Sequence, residues 1–112
     1  MIDFWATWCG PCVGELPNVL AAYEKYHAKG FEILGISLDQ DKGAFEKFIA
    51  DRKMTWRHYF DGKGWQNEVA QLYGVNSIPA TYLIGPDGKI VAVGLRGEAL
   101  GRQLAKMLDG KK

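Results

Sequence analysis

The two cysteines of the chain lie three positions apart, in Trp8-Cys9-Gly10-Pro11-Cys12. An apolar, β-rich segment ends just before this motif, and an amphipathic helical pattern begins at Pro11. Cys9 would therefore lie at a helix N-terminus, where unpaired backbone N–H groups and the helix dipole stabilise a thiolate. Cys12 would lie one turn further along, on the same side and more buried. The arrangement predicts a redox disulfide, with Cys9 as the attacking thiol and Cys12 as the resolving thiol.

Other uses of a Cys-x-x-Cys pair fit the sequence less well. A structural zinc site needs four ligands, and the chain has no second cysteine pair. His27 and His58 are the only histidines, and neither has ligand spacing to the cysteines, so we predict no metal, no cofactor and no catalytic histidine. An inert structural disulfide is disfavoured as well, because the pair lies where a strand passes into a helix.

Two acidic residues flank the motif, and each has two interpretations. Asp3 lies in an otherwise apolar segment, six residues before Cys9. Its carboxylate either reaches water from an edge strand, or is buried beneath Cys12, where a raised pKa would let it move the proton of the resolving thiol. Glu15, three residues after Cys12, is either a solvated helix residue or a second acid that does similar work.

The surrounding elements alternate between strands and helices. Apolar runs predict strands at residues 1–5, 31–38, 56–60, 80–84 and 90–95, and amphipathic patterns predict helices at residues 11–29, 41–53, 65–74 and 98–108. In the third of these helices, Val69, Leu72 and Tyr73 are expected to face inward. This order predicts an α/β fold, with helices on both faces of one sheet. We expect residues 1–112 to form a single domain.

Several segments resemble the thioredoxin superfamily. Residues 2–12 (IDFWATWCGPC) are similar to its active-site signature, and residues 78–81 (IPAT) resemble its cis-proline loop. Three further features resemble the TlpA/ResA-like group of AhpC/TSA-related, thioredoxin-like proteins. They are Glu15-Leu16-Pro17, an extra helix and strand between residues 41 and 60, and the hairpin sequence IGPDGK at residues 84–89. These proteins carry a further segment before the first strand, which the 112 residues do not contain.

The resemblance implies a thioredoxin-like fold with a mixed five-stranded sheet and an inserted helix–strand unit. The implied strand order is 57–60, 31–38, 1–5, 80–84, 90–95, with residues 80–84 antiparallel to their central neighbour. The resemblance also implies a cis Ile78–Pro79 bond opposite the cysteines. It favours the catalytic interpretation of Asp3, and it matches Glu15 to an acid of the ResA-like group.

The same resemblance implies a surface where a substrate would bind. Its residues are Trp8, Gly10, Pro11, Ile78 and Pro79. Trp8 directly precedes Cys9, so its large ring can shape a contact surface. The other tryptophans outside the first strand, Trp56 and Trp65, are expected to serve packing.

The expected function is the reduction of protein disulfides through a mixed disulfide. The expected partners are protein substrates and an upstream thiol electron donor, and the expected form is a monomer. The resemblance favours an extracytoplasmic location, in the bacterial periplasm or on the outer face of the membrane, with the cytoplasm as the alternative. A thiol peroxidase is a weaker alternative, because its chemistry centres on a lone cysteine. A copper-binding assembly module is weaker too, because such proteins have three residues between their cysteines, where this chain has two, and add a remote histidine.

Composition excludes other classes of function. The formal net charge is +1, which leaves no basic excess to neutralise the phosphates of a nucleic acid. The longest uncharged stretch, residues 69–86, is interrupted by polar residues and Pro79, so no membrane-spanning segment is predicted. Lys111-Lys112 is predicted to be a solvated tail.

Overall fold

The computed structural model describes residues 1–109, and the predicted Lys111-Lys112 tail lies outside them. The strands are β1 (Ile2–Trp5), β2 (Leu34–Ser37), β3 (Arg57–Phe60), β4 (Ala80–Ile84) and β5 (Ile90–Val93). The α-helices are α1 (Gly10–Tyr26), α2 (Lys42–Asp51), α3 (Glu68–Tyr73) and α4 (Glu98–Leu104). Short 3₁₀ turns cover His27–Lys29 and Gly64–Gln66, and a π-helical turn, Ala105–Asp109, follows α4.

The strands form one mixed sheet in the order β3-β2-β1-β4-β5. β1 pairs in parallel with β2 and antiparallel with β4, so the predicted order and the predicted antiparallel strand are confirmed. Asp3 lies opposite Gly35 on one side and Thr81 on the other. The interpretation of Asp3 as an edge-strand residue is therefore wrong, because its strand is the central one.

Aromatic packing on both faces holds β1 in the middle of the core. Successive strand residues point to opposite faces of a sheet. On one face, the ring of Phe4 lies 5.5 Å from that of Tyr73 in α3. On the other, the ring of Trp5 lies 5.6 Å from that of Phe48 in α2. The strand that leads into the cysteine motif is thus clamped between helices, which gives the motif a rigid base.

Some predicted boundaries were too long. β2 begins at Leu34 rather than at Phe31, because the Phe31 N–H bonds to the carbonyl of Tyr26 at the end of α1 and not to a strand. β5 ends at Val93 rather than at Leu95, because Gly94 takes a positive φ of 74°. The α-helix predicted to reach residue 108 ends at Leu104.

One residue predicted to face inward points outward. Leu72 is 82% exposed, although it was expected to share the inner face of its helix. α3 has only six residues, and Ala70 is the one that it buries completely. The turn before α3 sets which side of the helix meets the sheet, and the hydrophobic pattern alone did not reveal it.

Candidate redox site

Cys9 and Cys12 form a disulfide at the N-terminus of α1, with their Cα atoms 5.2 Å apart. Cys9 is the N-cap residue in an extended conformation (φ −89°, ψ 104°), and its Sγ accepts a hydrogen bond of 3.2 Å from the Cys12 N–H. No acidic residue lies in the first turn of the helix to oppose a negative charge there. The Cys9 sulfur therefore occupies the position where the helix end best stabilises a thiolate.

The expected difference in burial between the two cysteines is not found. Cys9 is 4% exposed and Cys12 is 8% exposed, so the prediction that Cys12 is the more buried residue is wrong for the oxidised protein. In the disulfide, Sγ of Cys9 accepts the Cys12 N–H of the first helical turn and is bonded to the Cys12 sulfur. The predicted attacking role of Cys9 is therefore supported by its position at the helix end and not by its exposure.

The Ile78–Pro79 peptide bond is cis, as predicted. Pro79 lines the same small cavity as Cys12, so this loop lies against the disulfide. The Pro79 carbonyl accepts a hydrogen bond of 3.2 Å from Nη2 of Arg96, which comes from the segment before α4. Sequence reasoning did not single out Arg96, because nothing in its local sequence connects it to the proline loop.

Asp3 and Glu15 both line this cavity beside Cys12. The cavity has a volume of about 20 Å³. That is room for roughly one water molecule. Burial, and secondly the negative charge of Glu15, raise the pKa of Asp3 to about 7, while the N-terminal ammonium acts in the opposite direction. Glu15 also accepts a hydrogen bond from the Gly97 backbone N–H. The structure thus brings together Cys12 and two acids, Asp3 and Glu15, and the pKa of Asp3 is about 7.

The remaining predicted residues lie on the surface around the disulfide. Trp8 is 54% exposed, Gly10 and Pro11 are exposed, and Ile78 is half-buried. Trp65 was expected to serve packing, yet it is 42% exposed and its ring lies 6.1 Å from that of Trp8.

Other groups could not be found from the sequence. The buried Asp39 carboxylate accepts hydrogen bonds from the backbone N–H and the hydroxyl of Thr7, two residues before Cys9. The sequence signal that could have indicated it is its place directly after the apolar residues 31–38.

Within residues 1–109, no three His, Cys, Asp or Glu side chains are grouped so that they could hold a metal ion. No helix in the same range has the length and apolar character needed to cross a membrane.

Comparison with known sequences assigns the family. The sequence model of the AhpC/TSA family matches residues 1–93. The chain belongs to the AhpC/TSA family. The match includes the cysteine motif, the proline loop and all five strands.

Individual relatives agree with this assignment. The chain is 40% identical over 90 residues to the thiol-disulfide oxidoreductase ResA of Oceanobacillus iheyensis, a match that covers 80% of this chain and 45% of that protein. A solved thiol-disulfide oxidoreductase from Bacteroides fragilis superposes with a TM-score of 0.86 at 35% identity, covering 96% of this chain and 79% of that one. The thioredoxin domain of a thiol-disulfide oxidoreductase from Bacteroides vulgatus gives a TM-score of 0.85 at 34% identity, covering 96% and 76%.

These matches confirm the thioredoxin-like fold and the likeness to ResA-type proteins that the motifs indicated. The chain spans only part of its curated relatives: 45% of the length of the Oceanobacillus protein, and 60% of the length of a ResA from Bacillus cereus.

Proposed function

We propose that the chain is a thiol–disulfide oxidoreductase that reduces protein disulfides through Cys9 and Cys12. The observation that carries the proposal is the disulfide at the N-terminus of α1, in which the Cys9 sulfur accepts the Cys12 N–H. After reduction, the same helix end favours the thiolate of Cys9 over its thiol. The printed names of the relatives, thiol-disulfide oxidoreductases, support this chemistry.

The reaction passes two electrons from the domain to the substrate. The Cys9 thiolate attacks one sulfur of the substrate disulfide, that S–S bond breaks, and the other substrate sulfur leaves as a thiolate. Cys12 then loses its proton and attacks the Cys9 sulfur of the mixed disulfide. The bond between Cys9 and the substrate breaks, and the second substrate sulfur leaves as a thiolate. The two substrate thiolates take up the proton that Cys12 lost and one from water, and the domain holds the Cys9–Cys12 disulfide. An upstream thiol donor returns the domain to its reduced form.

Asp3 and Glu15 serve the second step in this proposal. Cys12 has to lose its proton in a buried setting, where an unassisted thiolate is costly. Asp3 lines the cavity beside Cys12 and has a pKa of about 7, so it accepts a proton readily near neutral pH. The charge of Glu15 contributes to this by raising the pKa of Asp3.

The substrate would lie over the disulfide as an extended segment. The proposed contacts are Trp8, Gly10, Pro11, Ile78 and Pro79. Backbone groups of the loop before Pro79 can pair with such a segment as an added strand.

We further propose that the domain acts as a monomer in an extracytoplasmic compartment. Sedimentation of the protein tests the first point, and fractionation of cells that express it tests the second.

Trapping tests the division of labour between the thiols. The reduced domain should reduce insulin, and Cys12→Ser should accumulate a mixed disulfide with the substrate while Cys9→Ser does not. Trapping by Cys9→Ser instead would reverse the roles. Consumption of hydrogen peroxide without insulin reduction would favour a peroxidase, and stoichiometric binding of copper would favour an assembly module.

The redox potential tests the direction of the reaction. Gly10 and Pro11 bring no cation and no imidazole to the Cys9 thiolate. We therefore expect a potential nearer the thioredoxin value of about −270 mV than the oxidase value of about −120 mV. Equilibration with glutathione buffers gives the number. A value above about −180 mV would contradict the role as a reductant.

A further inference from the structure

Two exposed tryptophans meet beside the redox disulfide. The rings of Trp8 and Trp65 are 6.1 Å apart, at an angle of 52°. Trp8 is 54% exposed and Trp65 is 42% exposed, whereas Trp5 and Trp56 are buried in the core. Large apolar side chains that stay together at the surface mark binding sites, and tryptophan is among the residues most enriched at the energetic centres of interfaces.

A chain of buried and partly buried hydrogen bonds joins the two turns that carry these tryptophans. Asn67, two residues after Trp65, is fully buried, and its Nδ2 donates to the Ser37 carbonyl (3.2 Å). The Ser37 hydroxyl donates to the Asp39 carboxylate (2.6 Å). That carboxylate accepts the hydroxyl of Thr7 (2.6 Å) and also its N–H. Thr7 directly precedes Trp8, so the connection between the turns is continuous.

The turn that presents Trp65 is fixed by further contacts. The Trp65 carbonyl accepts a hydrogen bond of 3.2 Å from Nε2 of Gln71 in α3. Oδ1 of Asn67 caps the same helix by accepting the N–H groups of Val69 and Ala70. Buried polar groups are costly unless they are fully hydrogen-bonded, and these are bonded on both sides. The tryptophan is therefore held in place by its backbone while its ring stays in solvent.

We infer that Trp65 and Trp8 together bind an aromatic or large aliphatic side chain next to the reactive cysteine of the substrate protein, and that Thr7, Asp39 and Asn67 position this surface. The inference rests on the proposed function. A substrate sulfur that reaches Cys9 brings its neighbouring residues onto the surface that carries Trp8, so the tryptophan pair is continuous with the reaction site. Apolar side chains gain most from two exposed indole rings, and charged ones would lose hydration there.

Matched peptides test the inference. Two disulfide-linked peptide substrates would differ at a single residue beside the reactive cysteine, leucine in one and aspartate in the other. Their selectivity ratio is kcat/KM for the leucine peptide divided by kcat/KM for the aspartate peptide. Trp65→Ala should lower this ratio about tenfold, the effect of one well-packed aromatic contact. Leu72→Ala, which shortens another exposed apolar residue of the same segment, should leave the ratio unchanged.

Thr7 variants test the positioning role. Thr7→Val keeps the shape but removes the hydroxyl that Asp39 accepts, and it should lower the selectivity ratio several-fold. Thr7→Ser restores a hydroxyl and should restore most of the ratio. A purely structural role would change the melting temperature of the valine variant but leave the ratio unaltered.

Four outcomes separate the possibilities. The inference is overturned if Trp65→Ala leaves the ratio unchanged, or if Leu72→Ala lowers it equally. It is also overturned if Trp65→Ala dissociates a dimer without changing the ratio, because the tryptophans would then serve contact between two copies. If the unaltered domain reduces neither the peptides nor a small aromatic disulfide, the proposed function has failed instead.

Discussion

Two buried aspartates support the site of the disulfide from different surroundings. Asp3 lines a cavity with Cys12, and Asp39 bonds to Thr7, two residues before Cys9. Asp39 is 2% exposed, and its carboxylate accepts hydrogen bonds from Thr7 and Ser37. Asp3 is 8% exposed and lines the cavity beside Cys12. Burial and the charge of Glu15 raise the pKa of Asp3, and no hydrogen bond contributes to this rise.

The difference shows how one side chain supports two roles. Donors from Thr7 and Ser37 satisfy the carboxylate oxygens of Asp39, so this residue can hold the turn before Cys9 in place. Burial without such donors favours the protonated acid, so Asp3 can exchange a proton near neutral pH. One aspartate therefore stabilises the geometry of the site, and the other costs stability when it is charged. Substitutions at the two positions should have opposite effects.

The largest expected effect is at Asp39. Asp39→Ala leaves the Thr7 N–H and hydroxyl and the Ser37 hydroxyl without their acceptor, and each buried donor left unsatisfied costs about 1 to 3 kcal/mol. We expect the free energy of unfolding of the oxidised protein to fall by about 3 to 5 kcal/mol in urea titrations. The control is Asp41→Ala, which removes the N-cap of α2 and should cost about 1 kcal/mol. Equal losses would mean that Asp39 does no more than an ordinary cap.

Asp3 should have the opposite sign. Its pKa is about 7 in the folded protein against 3.8 for an ordinary aspartate, so the folded state binds the proton more tightly than the unfolded state. Stability from this group is full below pH 4 and is lost as the pH rises to 7, a change of up to about 4 kcal/mol. Asp3→Asn should remove most of this loss and be the more stable protein at pH 8. Parallel stability curves for the two proteins from pH 4 to pH 8 would contradict the shifted pKa.

The sequence predicted this contrast only in part. Asp3 lies in the cysteine signature, six residues before Cys9, so local sequence and family resemblance were enough to single it out. Asp39 acts through Thr7, which lies 32 residues away along the chain and meets it beyond the paired ends of β1 and β2. It also acts through the neighbouring Ser37, whose carbonyl accepts a hydrogen bond from the distant Asn67. Patterns of hydrophobicity predict which segments are strands, but not which polar side chains will face each other beyond the strand ends.

The same limit applies to the surface beside the disulfide. The strand order and the cis Ile78–Pro79 bond were predicted, because recognisable motifs carry them. Trp65 was expected to serve packing, as tryptophan side chains are on average highly buried. Its exposure follows from the 3₁₀ turn at Gly64–Gln66 and from the Asn67 cap. Neither could be predicted from local sequence, because both depend on the contact of Asn67 with the distant Ser37 carbonyl.

A smaller effect is expected in the kinetics of the second step. In the proposed mechanism Asp3 accepts the Cys12 proton, so Asp3→Asn should slow resolution of the mixed disulfide about tenfold at pH 7, equivalent to about 1.4 kcal/mol. Single-turnover quenching should show the mixed disulfide accumulating while its formation by Cys9 is little affected. Glu15→Gln should act in the same direction but more weakly, because Glu15 acts partly by raising the pKa of Asp3. If formation and resolution slow together in Asp3→Asn, the residue shapes the site and does not move the proton.

The smallest expected effect concerns His58, a half-buried base, whose pKa burial shifts in the opposite direction. Burial lowers the pKa of His58, against a weaker upward influence from its hydrogen bond to the Met54 carbonyl. The folded state therefore binds this proton less tightly than the unfolded state, so stability is full above pH 6.5 and is lost as the pH falls below it.

The stability that Asp3 contributes rises as the pH falls over much of the same range and would mask this loss. The measurement is therefore made in the Asp3→Asn variant. There the free energy of unfolding should fall from pH 7 to pH 5, and His58→Phe should flatten that fall. The control is His27→Gln, at a histidine whose side chain is 49% exposed, and it should leave the slope intact. If the fall from pH 7 to pH 5 persists in His58→Phe, other groups cause it. The contrast between a group that exchanges a proton and one that fixes geometry would then apply only to the two aspartates.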